Sequence, residues 1–538
     1  MASAGSKRAE RVMSKVYDVL IAGGGPVGVA LALDLGLRGL SCAVIERRTG
    51  LTKIPKGQNL TQRTLEHFHF WGIEPQIRAA RLMPAGYPIG EVTCYETLAS
   101  PYWYASAGRE VVRPFYFVDN ERLPQYRVEE VMREKLKSLP AVDVFFGWSV
   151  SALTQNADAV QLTMVQDGTD ERRELTGRYL VGCDGGRSFV RENVGIGRGG
   201  SDFDARMALI VFRSRDLHER MKRFPERSTY RVMHPKFQGC WQFFGRIDVG
   251  EGWFFHAPVP TEAGDDVDFR KLLFEAAGFE FDYEEDYVGF WDLRVAVADH
   301  YQSGRVFIAG DAAHTHPPYG GFGLNNGVED AANLGWKLAG VLKGWAAPAL
   351  LESYGAERRA IFKETGEDFI ASRIRADHVF LDRYNPHVDR AQFEDAWTKR
   401  SNEGVGRAMQ YEPNYEGSSV IMGPPGGICT AHGEHRFEAR AGHHLAPRML
   451  STGRNVFDEL GDDFTLLAFD GDTPCIAAFR QAAEMLRIPL QIVQDDFAGE
   501  IAAYAAKYVL VRPDQYVVWA GNDMPADVHE ILAKAVGR

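Results

Sequence analysis

The sequence predicts an α/β protein in which a parallel sheet is interleaved with an antiparallel β layer and followed by a smaller β/α unit. Three observations carry this prediction. From Val16 to Glu46 the chain reads as strand, glycine turn, amphipathic helix and strand, the order of a βαβ unit. Residues 190–300 are aromatic and strand-like, as a separate β layer would be. Two further glycine clusters, at 184–186 and 304–327, are expected to meet the first.

Length, charge and cysteine usage limit the possible functions. A chain of 538 residues is too long for one core and indicates two to four domains. Its net charge of -12 argues against nucleic-acid binding, which requires a cationic surface. The six cysteines contain no C-x-x-C pair, so neither a disulfide framework nor a metal site is expected. A reducing cytoplasm fits best.

The start of the chain is not expected to target or cross a membrane. Residues 1–15 are basic but contain no apolar core of the kind a secretory signal needs. The most apolar uncharged stretch, 19–33, is short and broken by glycines and a proline. We therefore expect a disordered tail and no membrane partner.

The first glycine cluster, Gly23 to Gly28, reads G-x-G-x-x-G between a strand and a helix. Glycine is required where the chain turns tightly, where backbone approaches a pyrophosphate and where helix packs on strand, and the helix N-terminus adds partial positive charge. Eighteen residues after Gly28, Glu46 ends the second strand, where a carboxylate can accept ribose hydroxyls. This pattern predicts a Rossmann-like dinucleotide site, for either FAD or NAD.

The third cluster favours a flavin. Residues 304–314 are expected to form an apolar strand that ends in Gly310-Asp311. Residues 317–327 are rich in glycine, so their backbone groups would be accessible to a ligand, and a helix is expected from Val328. The carboxylate can bind a ribityl hydroxyl. Because reduced flavin is anionic, backbone N–H groups and a helix dipole beside its ring would stabilise it.

Together these motifs give the chain a family resemblance. Residues 16–360 resemble the class A FAD monooxygenases, the aromatic-ring hydroxylases typified by para-hydroxybenzoate hydroxylase and phenol hydroxylase. The G-x-G-x-x-G segment, the Asp-Gly segment at 183–191 and the Gly-Asp pair at 310–311 match that family in order and spacing. The segments 457–469 and 508–520 resemble the thioredoxin-like C-terminal domain of the phenol hydroxylase branch, although Cys475 has no second cysteine for redox chemistry.

The resemblance implies a domain plan and a set of site residues for non-covalent FAD. The plan is a tail at 1–15, an FAD-binding domain at 16–188 with inserted substrate-domain strands, a mainly substrate-binding β domain at 189–300, further FAD-binding residues at 301–400, a linker at 401–440 and a thioredoxin-like domain at 441–538. The implied FAD contacts are Gly23, Gly25, Pro26, Val27, Gly28, Glu46, Arg47, Arg63, Gln125, Asp184, Asp311, Pro318, Gly321, Gly323, Leu324 and Asn325.

The implied reaction hydroxylates a phenolic ring. NAD(P)H reduces the flavin, O2 forms a C4a-hydroperoxyflavin, and the ring carbon attacks its distal oxygen. His316 and the Pro318 carbonyl are the candidate catalytic groups, with packing or backbone bonding as the alternative role for His316. The candidate substrate wall is Trp241, Phe243, Phe255 and Tyr230, with Trp253 and His256 as weaker candidates and ordinary core packing as the alternative.

Two positions depart from the family's usual residues, and several other functions are compatible with the same fold. Lys56-Gly57 stands where the family usually has Arg-Ala, and Phe322 replaces a frequently polar residue, which leaves the substrate open more than the cofactor. The same fold also supports halogenases, dehydrogenases, Baeyer-Villiger-type enzymes and non-catalytic flavin-binding regulators. The expected partners are a small aromatic substrate, O2, NAD(P)H and a second copy in a homodimer.

Overall fold

The computed structural model describes residues 15–106, 108–260, 267–402 and 408–538. Nearly all of the tail expected to be disordered lies outside these ranges. The strands are β1 Val16–Ala22, β2 Cys42–Glu46, β3 Asn59–Leu60, β4 Glu91–Tyr95, β5 Trp103–Ser106, β6 Glu121–Arg122, β7 Val142–Phe146, β8 Trp148–Gln155, β9 Val160–Gln166, β10 Arg172–Gly182, β11 Arg198–Arg213, β12 Thr229–Met233, β13 Gln242–Arg246, β14 Gly252–Val259, β15 Glu284–Ala298, β16 Gln302–Ser303, β17 Val306–Ile308, β18 His314–Thr315, β19 Tyr411–Tyr415, β20 Cys429–His432, β21 Phe464–Phe469, β22 Leu490–Asp495, β23 Tyr508–Val511 and β24 Val517–Gly521.

α-Helices alternate with these strands along the chain. They are α1 Pro26–Leu37, α2 Gln62–Phe70, α3 Glu74–Ala79, α4 Gln125–Leu136, α5 Phe189–Asn193, α6 Arg215–Arg220, α7 Phe269–Ala277, α8 Phe322–Lys343, α9 Glu352–Glu364, α10 Ser372–Arg383, α11 Arg390–Ser401, α12 Thr473–Leu486 and α13 Val528–Ala535. A π-helical turn at Thr365–Ala371 joins α9 to α10.

The first sheet runs in the order β16-β17-β10-β1-β2-β7. Strands β17, β10, β1, β2 and β7 are mutually parallel, and buried apolar side chains of β1, β2, β10 and β17 share one core with α1 and α8. Because parallel strands end at the same edge, the residues after β1, β2, β10 and β17 converge there. This edge brings the three glycine clusters together.

The second sheet, in the order β18-β15-β11-β14-β13-β12-β4-β5, is antiparallel except for the parallel β12-β4 pair. Its side chains alternate between two faces. One face packs against α6 and α7 around Trp253 and Phe255. The other, around Trp241 and Phe243, turns toward the glycine-rich edge of the first sheet.

Helix α8 starts six residues before the sequence-expected position. It begins at Phe322 instead of Val328, because Gly320 and Gly321, at φ 79° and 68°, allow the chain to turn directly into a helix. The helix spans 22 residues and is buried along most of its length despite its charged side chains. Its N-terminus therefore faces the convergence edge while its body crosses the core.

The C-terminal residues form a four-stranded sheet, β22-β21-β23-β24, with α12 and α13 beside it. The expected linker at 401–440 contains the β19-β20 pair, which packs against α9. The thioredoxin-like label and the domain boundaries stay predictions. Among the described residues, no helix combines the length and the apolarity needed to cross a bilayer.

A buried ion network fastens the C-terminal unit to α8 and α9. Glu357 accepts hydrogen bonds from Lys337 at 2.7 Å and from both terminal nitrogens of Arg512 at 2.8 and 3.1 Å. Arg512 also pairs with Asp514, and all four side chains are almost fully buried. Burial raises the pKa of Glu357, but the Arg512 and Lys337 charges outweigh it and leave this pKa lowered. The carboxylate therefore stays ionised inside the core.

We predict that Arg512→Met lowers the free energy of unfolding by about 3–5 kcal/mol, because it leaves two buried carboxylates without a guanidinium. Urea unfolding followed by circular dichroism measures the loss. Arg390→Met, which removes an exposed pair with Glu394, is the matched control and should change little. Equal effects of the two substitutions would contradict the assignment.

Candidate active site

A single cavity of about 1070 Å³ lies between the glycine-rich edge of the first sheet and the inner face of the second. The residues after β1, β2, β10 and β17 line one end, and aromatic side chains of β13, β14 and β15 line the other. The cavity thus joins the expected cofactor residues to the expected substrate wall.

The first glycine turn is a tight cradle at the start of α1. Gly23 has φ +104°, and a Cβ there would lie 2.3 Å from the Cys183 carbonyl oxygen. A Cβ at Gly25 meets nothing within 4 Å, so that backbone is open to the cavity. Pro26 begins α1, which has no side-chain cap and no acidic residue in its first turn. Its free N–H groups suit a pyrophosphate.

Gly28 has a packing role. It does not line the cavity, and a Cβ there would lie 1.9 Å from the Gly23 carbonyl oxygen. The expected direct contact is corrected to close approach of helix and strand, as the motif's last glycine requires.

Glu46 stands at the end of β2 with its carboxylate already oriented. One oxygen accepts a hydrogen bond from Gly24 N and the other from Arg48 N, each at 2.8 Å. Glu46 and Arg47 both line the cavity, beside the glycine cradle. Each carboxylate oxygen retains a lone pair for a ribose hydroxyl.

The second N-terminus at the cavity belongs to α8. Pro318, Gly321, Gly323 and Leu324 line the cavity, and this helix also lacks a side-chain cap. Asn325 does not line it, which corrects the expected contact. Its side chain accepts from Thr61 N at 2.9 Å and donates to the Asn59 carbonyl at 2.8 Å, so it braces the loop from behind.

Two aspartates near the cradle differ in what they bind. The Asp311 side chain opens into the cavity but is enclosed by protein, and this burial raises its pKa against the charges of His314, Lys56 and Arg198. Asp184 also lines the cavity, yet its carboxylate accepts from Ser188 Oγ and from Val190 N. Asp311 is therefore the freer acceptor.

Buried polar atoms along the cavity lack protein partners. Both amide atoms of Gln58 and Nε2 of His316 are buried without a hydrogen bond to the described residues. Such atoms are rare unless a ligand or water satisfies them. Together with the glycine cradle and the two uncapped helices, they fit a large polar cofactor such as FAD.

His316 is held as a neutral imidazole. Burial lowers its pKa to about 4. Its Nδ1 lies 2.5 Å from the Pro317 carbonyl, which can only accept, so the proton resides on Nδ1. The unprotonated Nε2 lies beside Gly323 and the ring stacks on Phe362. A catalytic role for His316 stays a prediction.

The aromatic end contains some of the expected substrate residues and several more. Trp241 stacks on Tyr319 at 4.3 Å, and Phe243 stacks on His256 at 4.8 Å. These four side chains and Trp291 line the cavity. The sequence analysis missed Tyr319 and Trp291.

Phe255 and Tyr230 lie on the opposite face of the sheet, against α6 and α7, which corrects their expected place in the substrate wall. Side chains alternate along a strand, so Phe254 and His256 face the cavity when Phe255 and Trp253 do not. This period of two is the signal that would have separated the two sets.

Arg63 is a further correction, whereas Gln125 lines the cavity as expected. The Arg63 guanidinium donates to Gln515 Oε1 at 2.8 Å and to the Asp514 carbonyl, and it pairs with Glu329. It thus fastens α2 to the C-terminal unit. The partners of Arg63 lie in elements that are distant in sequence, so the local motif around Arg63 does not predict these contacts.

The cavity is electropositive. Ten lysines and arginines but only five acidic residues are among its described lining residues. This balance suits an anionic dinucleotide and a phenolate. The described ranges hold no group of three or more His, Cys, Asp or Glu side chains placed to bind a metal ion.

Comparisons with known families cover both halves of the chain. A family model described as FAD binding domain matches residues 16–368. A second, described as aromatic-ring hydroxylase, C-terminal, matches residues 438–538. The first match contains the three glycine-rich segments that converge on the cavity, and the second covers the C-terminal four-stranded sheet.

Individual relatives match over almost the full length. The 4-methyl-5-nitrocatechol 5-monooxygenase of a Burkholderia species is 30% identical, covering 96% of each protein. The structure of the flavin-dependent monooxygenase PieE with FAD and substrate has a TM-score of 0.85 at 26% identity, covering 97% of this chain and 98% of PieE. The rebeccamycin biosynthetic enzyme RebC with reduced flavin has a TM-score of 0.82 at 29% identity, covering 97% and 99%. These matches confirm the expected fold class.

We predict that Gly28→Ala reduces the flavin content of the purified protein about tenfold or more, because the new methyl group forces α1 away from the Gly23 turn. The ratio of flavin to protein absorbance measures the loss, and circular dichroism checks the fold. Gly199→Ala is the matched control, since its Cβ meets nothing within 4 Å and it lies outside the cavity. Full flavin retention by Gly28→Ala would overturn the cradle assignment.

Proposed function

Because the chain belongs to the FAD-dependent monooxygenases of the aromatic-ring hydroxylase family, we propose that it uses NAD(P)H and O2 to hydroxylate a phenolic ring bound in this cavity. One observation carries the proposal. The same cavity joins two uncapped helix N-termini, suited to a flavin dinucleotide, to a wall of stacked aromatic side chains, suited to a planar ring.

The cofactor end would be held by backbone and by two carboxylates. The N-terminus of α1 would bind the pyrophosphate, Glu46 the adenosine ribose and Asp311 the ribityl chain. The N-terminus of α8, with the N–H groups of Gly323 and Leu324, would stabilise negative charge on the ring system. Bound FAD would supply electron transfer from NAD(P)H and the activation of O2.

The substrate end would orient the ring and exclude water. Trp241, Tyr319, Phe243 and Phe254 form an aromatic wall that would stack on a planar substrate and shield its ring from solvent. Exclusion of water protects the oxygen-transferring step from hydrolysis and loss as peroxide. The Pro318 carbonyl and His316 lie on the loop between this wall and the start of α8.

The proposal that NAD(P)H binds only transiently rests on the sequence. It contains no second, independent Rossmann fingerprint, because the G-x-G-x-x-G match at 195–200 leads into strand β11 and not into a helix. This favours transient nicotinamide binding over a resident NAD(P) domain. We propose that NAD(P)H approaches through the open side of the cavity and leaves after reducing the flavin. A cytoplasmic location and a homodimer stay predictions.

The decisive experiment measures NAD(P)H oxidation by FAD-loaded protein with phenols, hydroxybenzoates, catechols and nitrocatechols. The expected result is that one ring accelerates oxidation and gains the mass of one oxygen atom. Asp311→Ala should lower turnover through weaker flavin binding, whereas exposed Arg390→Met should not. Oxidation that yields only hydrogen peroxide with every compound, in protein that retains FAD, would contradict the hydroxylase assignment.

A further inference from the structure

His256 has an environment that fixes where its proton resides. It lies on β14, is only 4% exposed and lines the aromatic end of the cavity. Its ring stacks on Phe243 and meets the edges of Phe254 and Trp291. These three rings hold the imidazole plane in one orientation.

Trp291 determines the tautomer. Its indole Nε1–H donates to Nδ1 of His256 at 3.2 Å. An indole nitrogen can only donate, so Nδ1 must be unprotonated, and a neutral imidazole then carries its proton on Nε2. Burial lowers the pKa of His256 to about 3, so the ring is neutral at physiological pH.

The Nε2–H group of His256 donates to no acceptor among the described residues, whose one hydrogen bond to this ring is that of Trp291 to Nδ1. His256 lines the cavity, so a ligand or water bound there can accept this hydrogen bond. The cavity is the space from which such an acceptor can come.

We propose that His256 donates its Nε2–H to the oxygen substituent of the aromatic substrate, and that Trp291 is the positioning residue that fixes this donor. This inference rests on the proposed function and adds a polar contact that selects hydroxylated rings. The donor would favour the phenolate over the phenol. Since Nδ1 is occupied and the proton is on Nε2, His256 does not take up the phenol proton; it fixes the oxygen.

The tautomer is tested without any substrate. In FAD-loaded protein with 15N-labelled histidine, NMR should show His256 as a neutral Nε2–H tautomer that does not titrate around neutral pH. Trp291→Phe should mix the two tautomers. Trp253→Phe, which removes an indole donating to Ser214 on the other face, is the matched control and should leave the signal unchanged. An Nδ1–H tautomer or a titrating ring would overturn the proposal.

The contact between His256 and the substrate oxygen is tested by measuring the affinity of FAD-loaded protein for two probes, 4-nitrophenol and nitrobenzene. Only the first carries a phenol oxygen. His256→Leu should weaken 4-nitrophenol about tenfold to a hundredfold, raise the pKa of the bound phenol, and leave nitrobenzene unchanged. His256→Gln, whose amide still donates, should recover most of the affinity. Equal weakening of both probes, or no change in either, would overturn the contact. The NMR measurement does not depend on turnover. A wrong tautomer would therefore overturn the role of His256 without bearing on whether the protein hydroxylates a ring.

Discussion

The structure depends on the burial of charged side chains along helix α8. Glu329 of this helix pairs with Arg63 at 3.3 Å and with His67 at 2.6 Å, both on α2. Asp330, the next residue, pairs with Arg358 of α9 at 2.8 Å and with His314 at 2.6 Å. The helix thus holds α2, α9 and the residues that follow β17 around one axis, and its N-terminus is the part that lines the cavity.

These pairs set the shape of the cofactor end. Asp330 also accepts a hydrogen bond from Gly310 N at 3.0 Å, which fixes the turn that presents Asp311. Burial raises the pKa of Asp330, but His314 and Arg358 outweigh it and keep this pKa lowered. A buried charge network is stable only when every member has a partner, so loss of one member disturbs the rest.

Sequence motifs predicted the backbone of the site better than its side chains. The glycine cradle, Glu46 and Asp311 were predictable because tight turns and strand ends restrict residue type locally. Arg63 and Asn325 were misplaced, since their partners are hundreds of residues away and no local pattern names them. Tyr230 was expected to line the substrate wall but lies on the opposite face of the second sheet, because strand register decides which face a side chain joins and composition alone does not reveal it.

The most direct test of this account is the FAD affinity of Asp330→Asn, a residue that lies outside the cavity. The substitution removes the charge that holds His314, Arg358 and the Gly310 turn. Titration calorimetry on folded apoprotein should show about tenfold weaker FAD binding or more, while Arg390→Met, which removes an exposed pair with Glu394 away from α8, should bind FAD as the parent chain does. Unchanged affinity in Asp330→Asn, or equal loss in both variants, would contradict the central role of α8.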